Sequence, residues 1–297
     1  MPPPPTAAAA PRLLAPVRLP RRLDGQRLDH LSASSLAKFW RCPEAWRAHY
    51  LARVRGPESA ELRRGWVVDA AIEAHYKALL ATGEALPQRD IEDIYAAAWQ
   101  RRIDDAAVEI DWGDDTPEHV KDTGLIALRA YLAELAPTVR PTSVQREFAF
   151  ALAPELEWTL TGRLDVEDAD GDVIDVKVKK RHVAQADADS DPQPGLYLLE
   201  RALAGRPAAR FVYHSVNPNA KQAKTKVVPT RRSRAQLEAF VGRVFATARA
   251  IDGLYRQFGP GGPWPLADPT HWCCSPRFCA AWTHCPGGAG SALPAAA

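Results

Sequence analysis

Between Gly162 and Lys180 the chain reads GRLDVEDADGDVIDVKVKK. Two β-like runs flank the Asp-Gly pair at Asp170 and Gly171, and this pattern calls for two antiparallel strands joined by a tight turn. Each strand nevertheless carries an aspartate, Asp165 in the first and Asp175 in the second, with Lys177 two residues further on. Strand side chains repeat every two residues, so Asp175 and Lys177 share a face, and Asp165 on the neighbouring strand is placed to converge with them. Carboxylates so placed can hold a divalent cation that makes water more basic and neutralises phosphoryl oxygens, while an ammonium orients the water or stabilises developing charge. An Asp-x-Lys tripeptide by itself is equally the mark of a solvated surface hairpin.

The surrounding text supplies the context. From Leu31, LSASSLAKFWRCPEAWRAHYL places serines to cap a helix and apolar residues at helical spacing: Leu36, Phe39, Trp40, Trp46 and Tyr50, with Pro43 dividing the stretch in two. Further helices are predicted over about 58–81, 87–108 and 117–135. SVQREFAFAL and EWTLTGRLDVED read as strands ahead of DVIDVKVK, then come a helix over about 191–204, the strand ARFVYHSV and a long helix from Ser233 to about Phe258. Helices, three strands, helix, strand and helix make an α/β core with a mixed sheet, preceded by a helical region.

A chain of 297 residues can bury one large core. The expected layout is a disordered Pro/Ala-rich leader over 1–27, one domain over 28–286 and a disordered tail over 287–297. Within the domain, a helical part covers about 31–136, the α/β core about 142–258 and a cysteine-rich closure 271–286. The leader lacks the continuous apolar core of a secretory signal, and no run approaches a membrane span, so a cytoplasmic protein with no membrane partner is expected. With 38 Lys plus Arg against 36 Asp plus Glu, net charge says nothing about an anionic partner, and local clusters have to carry that question.

Two clusters stand out. HWCCSPRFCAAWTHCPGG holds Cys273, Cys274, Cys279 and Cys285, while Cys42 lies far upstream in FWRCPEAW. In a reducing compartment such thiols call for a metal, and four thiolates suit zinc or an iron-sulfur cluster; spacing does not choose between them. NAKQAKTKVVPTRRSR carries Lys221, Lys224, Lys226, Arg231, Arg232 and Arg234 without an acidic residue, and a second basic group, including Lys179 and Lys180, adjoins Lys177. Together they suit a groove that tracks a phosphate backbone.

The order Gly162-x-x-Asp165, turn, Asp175-x-Lys177 resembles the PD-(D/E)XK nuclease superfamily in its RecB-like exonuclease branch. QPGLY is similar to that branch's Q-x-x-x-Y element, with Gln193 and Tyr197 on one helix face. Upstream, GWVVDAAIEAHY resembles its G-x-x-x-H-x-x-x-E helix through Gly65 and Glu73, with Asp69 where the family usually has a metal-binding histidine. His75 falls off that face and is read as structural, and Glu147 matches an acidic position or pairs across strands.

The resemblance implies a restriction-endonuclease-like core and a metal-dependent DNA exonuclease acting on single strands or duplex ends. It implies Mg²⁺ or Mn²⁺ on Asp69, Asp165, Asp175 and the carbonyl of Val176. Lys177 would position water, with Gln193 and Tyr197 supporting substrate and lysine. It further implies a 4Fe-4S cluster on Cys42, Cys274, Cys279 and Cys285, Cys273 being spare and zinc the alternative. The sequence contains no phosphate-loop helicase motif, so unwinding would fall to a separate helicase or recombination protein. The other reading is a catalytically weakened DNA-binding or scaffold protein that keeps the fold.

Overall fold

Capping serines and threonines set the helix starts. Ser32 accepts from Ser35 N and opens α1 (Ala33–Arg41), Ser59 accepts from Leu62 N, and Thr116 accepts from His119 N, each at 3.2 Å. Cys42 then caps α2 (Pro43–Tyr50), whose Pro43 occupies the first turn, as the Cys-Pro pair predicts. In the computed structural model, which describes residues 17–104, 109–219 and 221–288, these helices belong to a mixed α/β arrangement. The remaining helices are α3 (Ala60–Thr82), α4 (Gln88–Asp104), α5 (Pro117–Glu134), α6 (Gln185–Ser190), α7 (Pro192–Leu203) and α8 (Arg234–Phe258).

The strands are β1 (His30–Ser32), β2 (Glu58–Ser59), β3 (Ile110–Asp111), β4 (Pro141–Phe150), β5 (Thr159–Asp168), β6 (Val173–Val178), β7 (Phe211–Asn217) and β8 (Lys224–Thr230). The main sheet runs β1-β5-β6-β7-β8, with β4 also paired to β5. β6 and β7 are parallel, while β4-β5, β5-β6 and β7-β8 are antiparallel. Between β5 and β6 the predicted turn is present, with Gly171 at φ +81° and Asp168 Oδ1 accepting from the amides of Asp170 and Asp172 at 3.0 and 2.9 Å.

Helices cover both faces. On one, Leu36, Trp46, Leu196, Tyr197 and Ile251 pack against Leu164, Phe211 and Tyr213. On the other, Val67, Val68, Tyr76, Leu128 and Tyr131 pack against Val166, Ile174, Val212 and Val216. β7 alternates between the two cores, Phe211 and Tyr213 on one side and Val212 and Val216 on the other, so both of its faces are buried.

Four expectations change. β8 was expected only as a basic run, yet it pairs with β7 from Phe211↔Thr230 to Asn217↔Lys224, its lysines and Pro229 lying on a sheet edge where they disfavour further pairing. β1 forms because the residues before α1 pair in parallel with Thr159–Thr161. α6 precedes α7 as a separate short helix. The leader was expected to run to residue 27, but Val17 and Leu19 are buried in the core, and Trp158 Nε1 donates to Val17 O at 3.1 Å. Residues 1–16 of that leader and 289–297 of the tail lie outside the described residues, as do 105–108 of the third predicted helix. No helix among the described residues is long and apolar enough to cross a membrane.

The two ends of the domain meet. Trp264 stacks on Trp46 at 5.7 Å between centroids and 16° between planes. Glu44, buried in α2, accepts from Trp264 N at 2.7 Å and from Arg47 Nε and Nη2 at 2.8 and 2.6 Å, while Arg47 Nη1 donates to Pro260 O at 2.7 Å. Every donor and acceptor of this buried pair that faces the C-terminal segment is used, so the segment is held without help from the cysteines.

Candidate active site

A break in the sheet creates the site. β4 lines one edge of β5 over residues 160–168, so β1 and β6 share the other edge. β1 pairs with Thr159–Thr161 and β6 pairs with Val166 and Glu167, leaving 162–165 without a strand partner there. Backbone polar groups left open in a sheet need partners, and side chains provide them. The Tyr197 hydroxyl donates to Arg163 O at 2.9 Å and accepts from Arg163 N at 3.4 Å. Asp165 Oδ2 accepts from Val176 N on β6 at 3.3 Å, so the carboxylate bridges the split.

α7 is pinned over this break by charge. Arg146 on β4 donates to Glu167 on β5 at 2.9 Å and to Glu200 on α7 at 2.8 Å, and Arg201 pairs with Glu167 at 2.5 Å. That fixes the helix from which Gln193 and Tyr197 project. Gln193 Nε2 donates to Asp175 Oδ1 at 2.6 Å, and Lys177 Nζ stands 2.5 Å from Asp175 Oδ2 as an ion pair. From the opposite face α3 packs on β4 and β6 and brings in Asp69.

The result is a cleft of about 510 Å³ whose lining includes Asp69, Arg163, Asp165, Asp175, Val176, Lys177, Lys179, Gln193 and Tyr197. The seven residues read from the motifs, Asp69, Asp165, Asp175, Val176, Lys177, Gln193 and Tyr197, therefore share one cavity. Tyr197 differs in its contacts from the expected support of Lys177, because its hydroxyl is committed to the backbone of Arg163. His75 is buried against Tyr76, and Glu147 stands opposite Arg163 in the β4-β5 ladder, neither of them lining the cleft. Of the proposed basic residues only Lys179 lines it. Lys180 pairs with Asp115 at 3.1 Å, and Arg232 donates to Thr230 Oγ1, Ala188 O and Asp191 O at 2.6, 3.0 and 3.3 Å. Lys221, Lys224, Lys226 and Arg231 are exposed away from it.

Crowded acids govern the electrostatics. Burial, then the charge of Asp175, pushes the Asp69 carboxyl up to about 6. Burial, then the charges of Asp175 and Asp69, holds Asp165 well above the usual carboxylate range. For Lys177 burial works against the charged form, but the carboxylates of Asp175 and Asp165 outweigh it and raise the ammonium above its ordinary value. Lys177 is thus a fixed cation at neutral pH, suited to donating hydrogen bonds and unsuited to acting as a general base.

Oxygen donors gathered at the cost of mutual repulsion fit a hard divalent cation, which would relieve it. In the chain alone, Asp175 leans on Gln193 and Lys177, and among the described residues no three His, Cys, Asp or Glu side chains meet in a ready-made coordination sphere. The thiols are likewise gathered: Cys42, Cys273, Cys274, Cys279 and Cys285 all line one cavity of about 70 Å³ beneath α2. Burial and then Cys273 push the Cys274 thiol up to about 11, and His271 Nδ1 lies 3.0 Å from Cys273 Sγ. Because all five share the cavity, its lining does not single out Cys273 as spare.

Gly162 owes its identity to the break. A Cβ there would collide with Phe148 Cζ and sit 2.8 Å from Tyr197 Cε1. Gly162→Ala is expected to destabilise the fold by about 1–3 kcal/mol through overpacking. By displacing Tyr197 it should slow cleavage by about tenfold or more. A thermal melt and a cleavage time course check this; wild-type behaviour in both would mean that the Tyr197 contact does not set the position of Asp165.

A mixed sheet flanked by helices, split to expose a D…D-x-K cluster, is the architecture of a nuclease with a restriction-endonuclease-like fold. The chain belongs to the PD-(D/E)XK nuclease superfamily, whose family model matches residues 30–286. Among solved structures it is similar to an Eubacterium rectale protein provisionally named an exonuclease, with a TM-score of 0.52 and 10% identity over 83% of this chain and 87% of that one. At that identity the likeness speaks for the fold alone. SSO0001, at a TM-score of 0.37 and 11% identity over 88% of both chains, is too loosely similar to bear on the argument. A comparison with curated proteins found no match.

Arg163 and the helix residues Leu62 and Trp66 also line the cleft and were not singled out from sequence. Arg163 stands inside the Gly162-x-x-Asp165 motif, and Trp66 lies three residues before Asp69. Their positions relative to the motifs were the available signals.

Proposed function

We propose that the chain is a RecB-like, metal-dependent DNA exonuclease. The observation that carries this reading is the convergence of Asp69, Asp165, Asp175 and Lys177 on one cleft from three separate elements. Asp69, Asp165, Asp175 and the Val176 carbonyl would hold Mg²⁺ or Mn²⁺, and the aspartate at 69 supplies a hard oxygen donor where a histidine is usual. When bound, the ion lowers the pKa of water and neutralises charge on the phosphoryl group.

The chain's own residues do the positioning. Lys177, held charged by Asp175, orients the attacking water and donates to the phosphate oxygens as negative charge grows there. Gln193 fixes the Asp175 carboxylate through one oxygen, leaving its orientation set before substrate arrives. Tyr197 keeps the open edge of β5 in place beneath Asp165. Arg163 and Lys179 add positive charge to the cleft wall for the scissile strand.

DNA would run from the cleft past the end of β6 toward the exposed lysines of β8, β7 between them being buried. Lys177 lies level with Ser215 and Ser215 with Lys226, and Asn217 is level with Lys224, so alternation puts these lysines on one sheet face. Lys221 and Arg231 would extend that track, whereas Arg232 serves the α6-α7 junction. The thiols would bind a 4Fe-4S cluster through Cys42, Cys274, Cys279 and Cys285, with zinc as the alternative, as a structural closure. A separate helicase would supply any unwinding needed in recombination or repair.

Digestion of end-labelled linear and circular single-stranded DNA with Mg²⁺ and with Mn²⁺ tests the reading. The expected result is metal-dependent loss of the linear strand from its end while the circle persists. Cleavage of the circle at the same rate would replace the exonuclease reading with an endonuclease; no cleavage of either would favour the inactive scaffold.

A further inference from the structure

The catalytic cleft has two unlike walls. The sheet side presents acids and cations and α7 adds Gln193 and Tyr197, whereas the α3 side presents Leu62, Gly65 and Trp66 ahead of Asp69, with Ser59 and Glu61 at its start. Leu62, Trp66 and Asp69 stand at i, i+4 and i+7, so they share one face of α3, Trp66 about 4.5 Å and Leu62 about 10 Å along the axis from the carboxylate. Leu62 is 43 % exposed, an apolar side chain left open beside a cluster of charges. Trp66 is half-buried, and the Arg102 guanidinium lies over its ring at 4.0 Å, pinning the indole to α4 while it still lines the cleft. An apolar surface beside buried charges gains nothing from water and gains much from a flat, weakly polar group.

We propose that Leu62 and Trp66 form the base-binding wall of the site, holding the unpaired base of the nucleotide whose phosphate lies at the carboxylates. This rests on the nuclease reading and deepens it by naming the substrate form: a separated strand threaded one nucleotide at a time. A cleft of about 510 Å³ has room for a nucleotide beside the carboxylates. Gly65, with open space where a Cβ would stand, keeps the wall between Leu62 and Asp69 clear for a base to approach. The charged walls recognise the phosphate of any nucleic acid; the apolar wall requires a base face that is not stacked on a neighbour. Stacking is tolerant of base identity, so the wall confers strand form and not sequence.

The test is equilibrium binding of the full-length chain in EDTA to an end-labelled oligothymidylate and to the same strand with tetrahydrofuran residues replacing its terminal nucleotides, followed by fluorescence anisotropy. The wild type is expected to bind the base-bearing strand about tenfold more tightly. Trp66→Ala should lose that advantage without changing affinity for the abasic strand, and Trp66→Phe should keep most of it. Leu62→Ala, at an exposed position that the fold does not need, should lose part of it and guards against misfolding of the Trp66 variants. A wild-type ratio of one, an unchanged ratio in both alanine variants, or a blunt hairpin duplex bound as tightly as the single strand would overturn the proposal. Parallel digestions with Mg²⁺ and Mn²⁺ separate the two readings. Base discrimination without cleavage sinks the nuclease reading alone, and cleavage without discrimination sinks this inference alone.

Discussion

Asp165→Asn is expected to abolish cleavage while raising the melting temperature of the metal-free protein. Both effects follow from the crowding of acids in the cleft. An aspartate ordinarily titrates near about 4, and the fold holds Asp165 well above that through burial and the charges of Asp175 and Asp69. The folded chain therefore binds this proton more tightly than the unfolded chain does. The stability contributed by this group is present at low pH and is lost as pH rises from about 4 through the folded value, so at neutral pH the ionised carboxylate opposes folding. Asparagine removes the charge and keeps an oxygen to accept from Val176 N, so the bridge across the split survives. Each kcal/mol of relief raises the melting temperature by about 2–4 °C in a chain of this size. Losing a carboxylate from the proposed donor set should cost about 10³-fold or more in rate. Melting in EDTA and cleavage with Mg²⁺ check the two halves. A variant less stable than wild type in EDTA would show that the acids are not in conflict.

On the proposed cluster reading, Cys279→Ser is expected to strip the protein of cysteine-bound metal and its visible absorbance while leaving the α/β core folded. The thiols of Cys42 and the C-terminal segment share one cavity, so removing one ligand from the closure should release the ion. A crosslink from Cys42 to Cys279 would appear to close a very long loop, but Glu44, Arg47 and the Trp46-Trp264 stack already join the ends. The extra closure is therefore only that between Trp264 and Cys279, and its loss costs about 2–3 kcal/mol. The cysteine lobe itself should become protease-sensitive beyond residue 265. Metal analysis, a visible spectrum and limited proteolysis check this outcome. Wild-type protein that is colourless and free of iron and zinc after anaerobic purification with iron supplied would remove the cluster from the account.

What could be read in advance divides along contact distance. The β5-β6 hairpin, the α7 start at Asp191 and Pro192 and the α3 face carrying Asp69 are local patterns, and the motif residues they carry do share a cleft. The break that exposes Asp165 was not legible, because it depends on residues 30–32 pairing with 159–161, far apart in the chain. β8 was hidden by its lysines and Pro229, which mask the strand preference of Thr225, Val227, Val228 and Thr230; the pairing with β7 reveals it. Val17 and Leu19 sit singly among prolines and arginines, and only Trp158 and the surrounding core show why they are buried. Arg163 could not be ranked from sequence, since its importance comes from the cleft on which it opens.

The most direct test of the carboxylate-lysine centre is single-turnover cleavage of end-labelled single-stranded DNA by wild type and Lys177→Ala, with saturating Mg²⁺ or Mn²⁺. The wild type should cleave with either ion or both, and the variant should be about 100-fold slower or worse at unchanged DNA affinity. Equal rates for the two proteins would contradict the assignment of Lys177 and, with it, the mechanism built around Asp165 and Asp175.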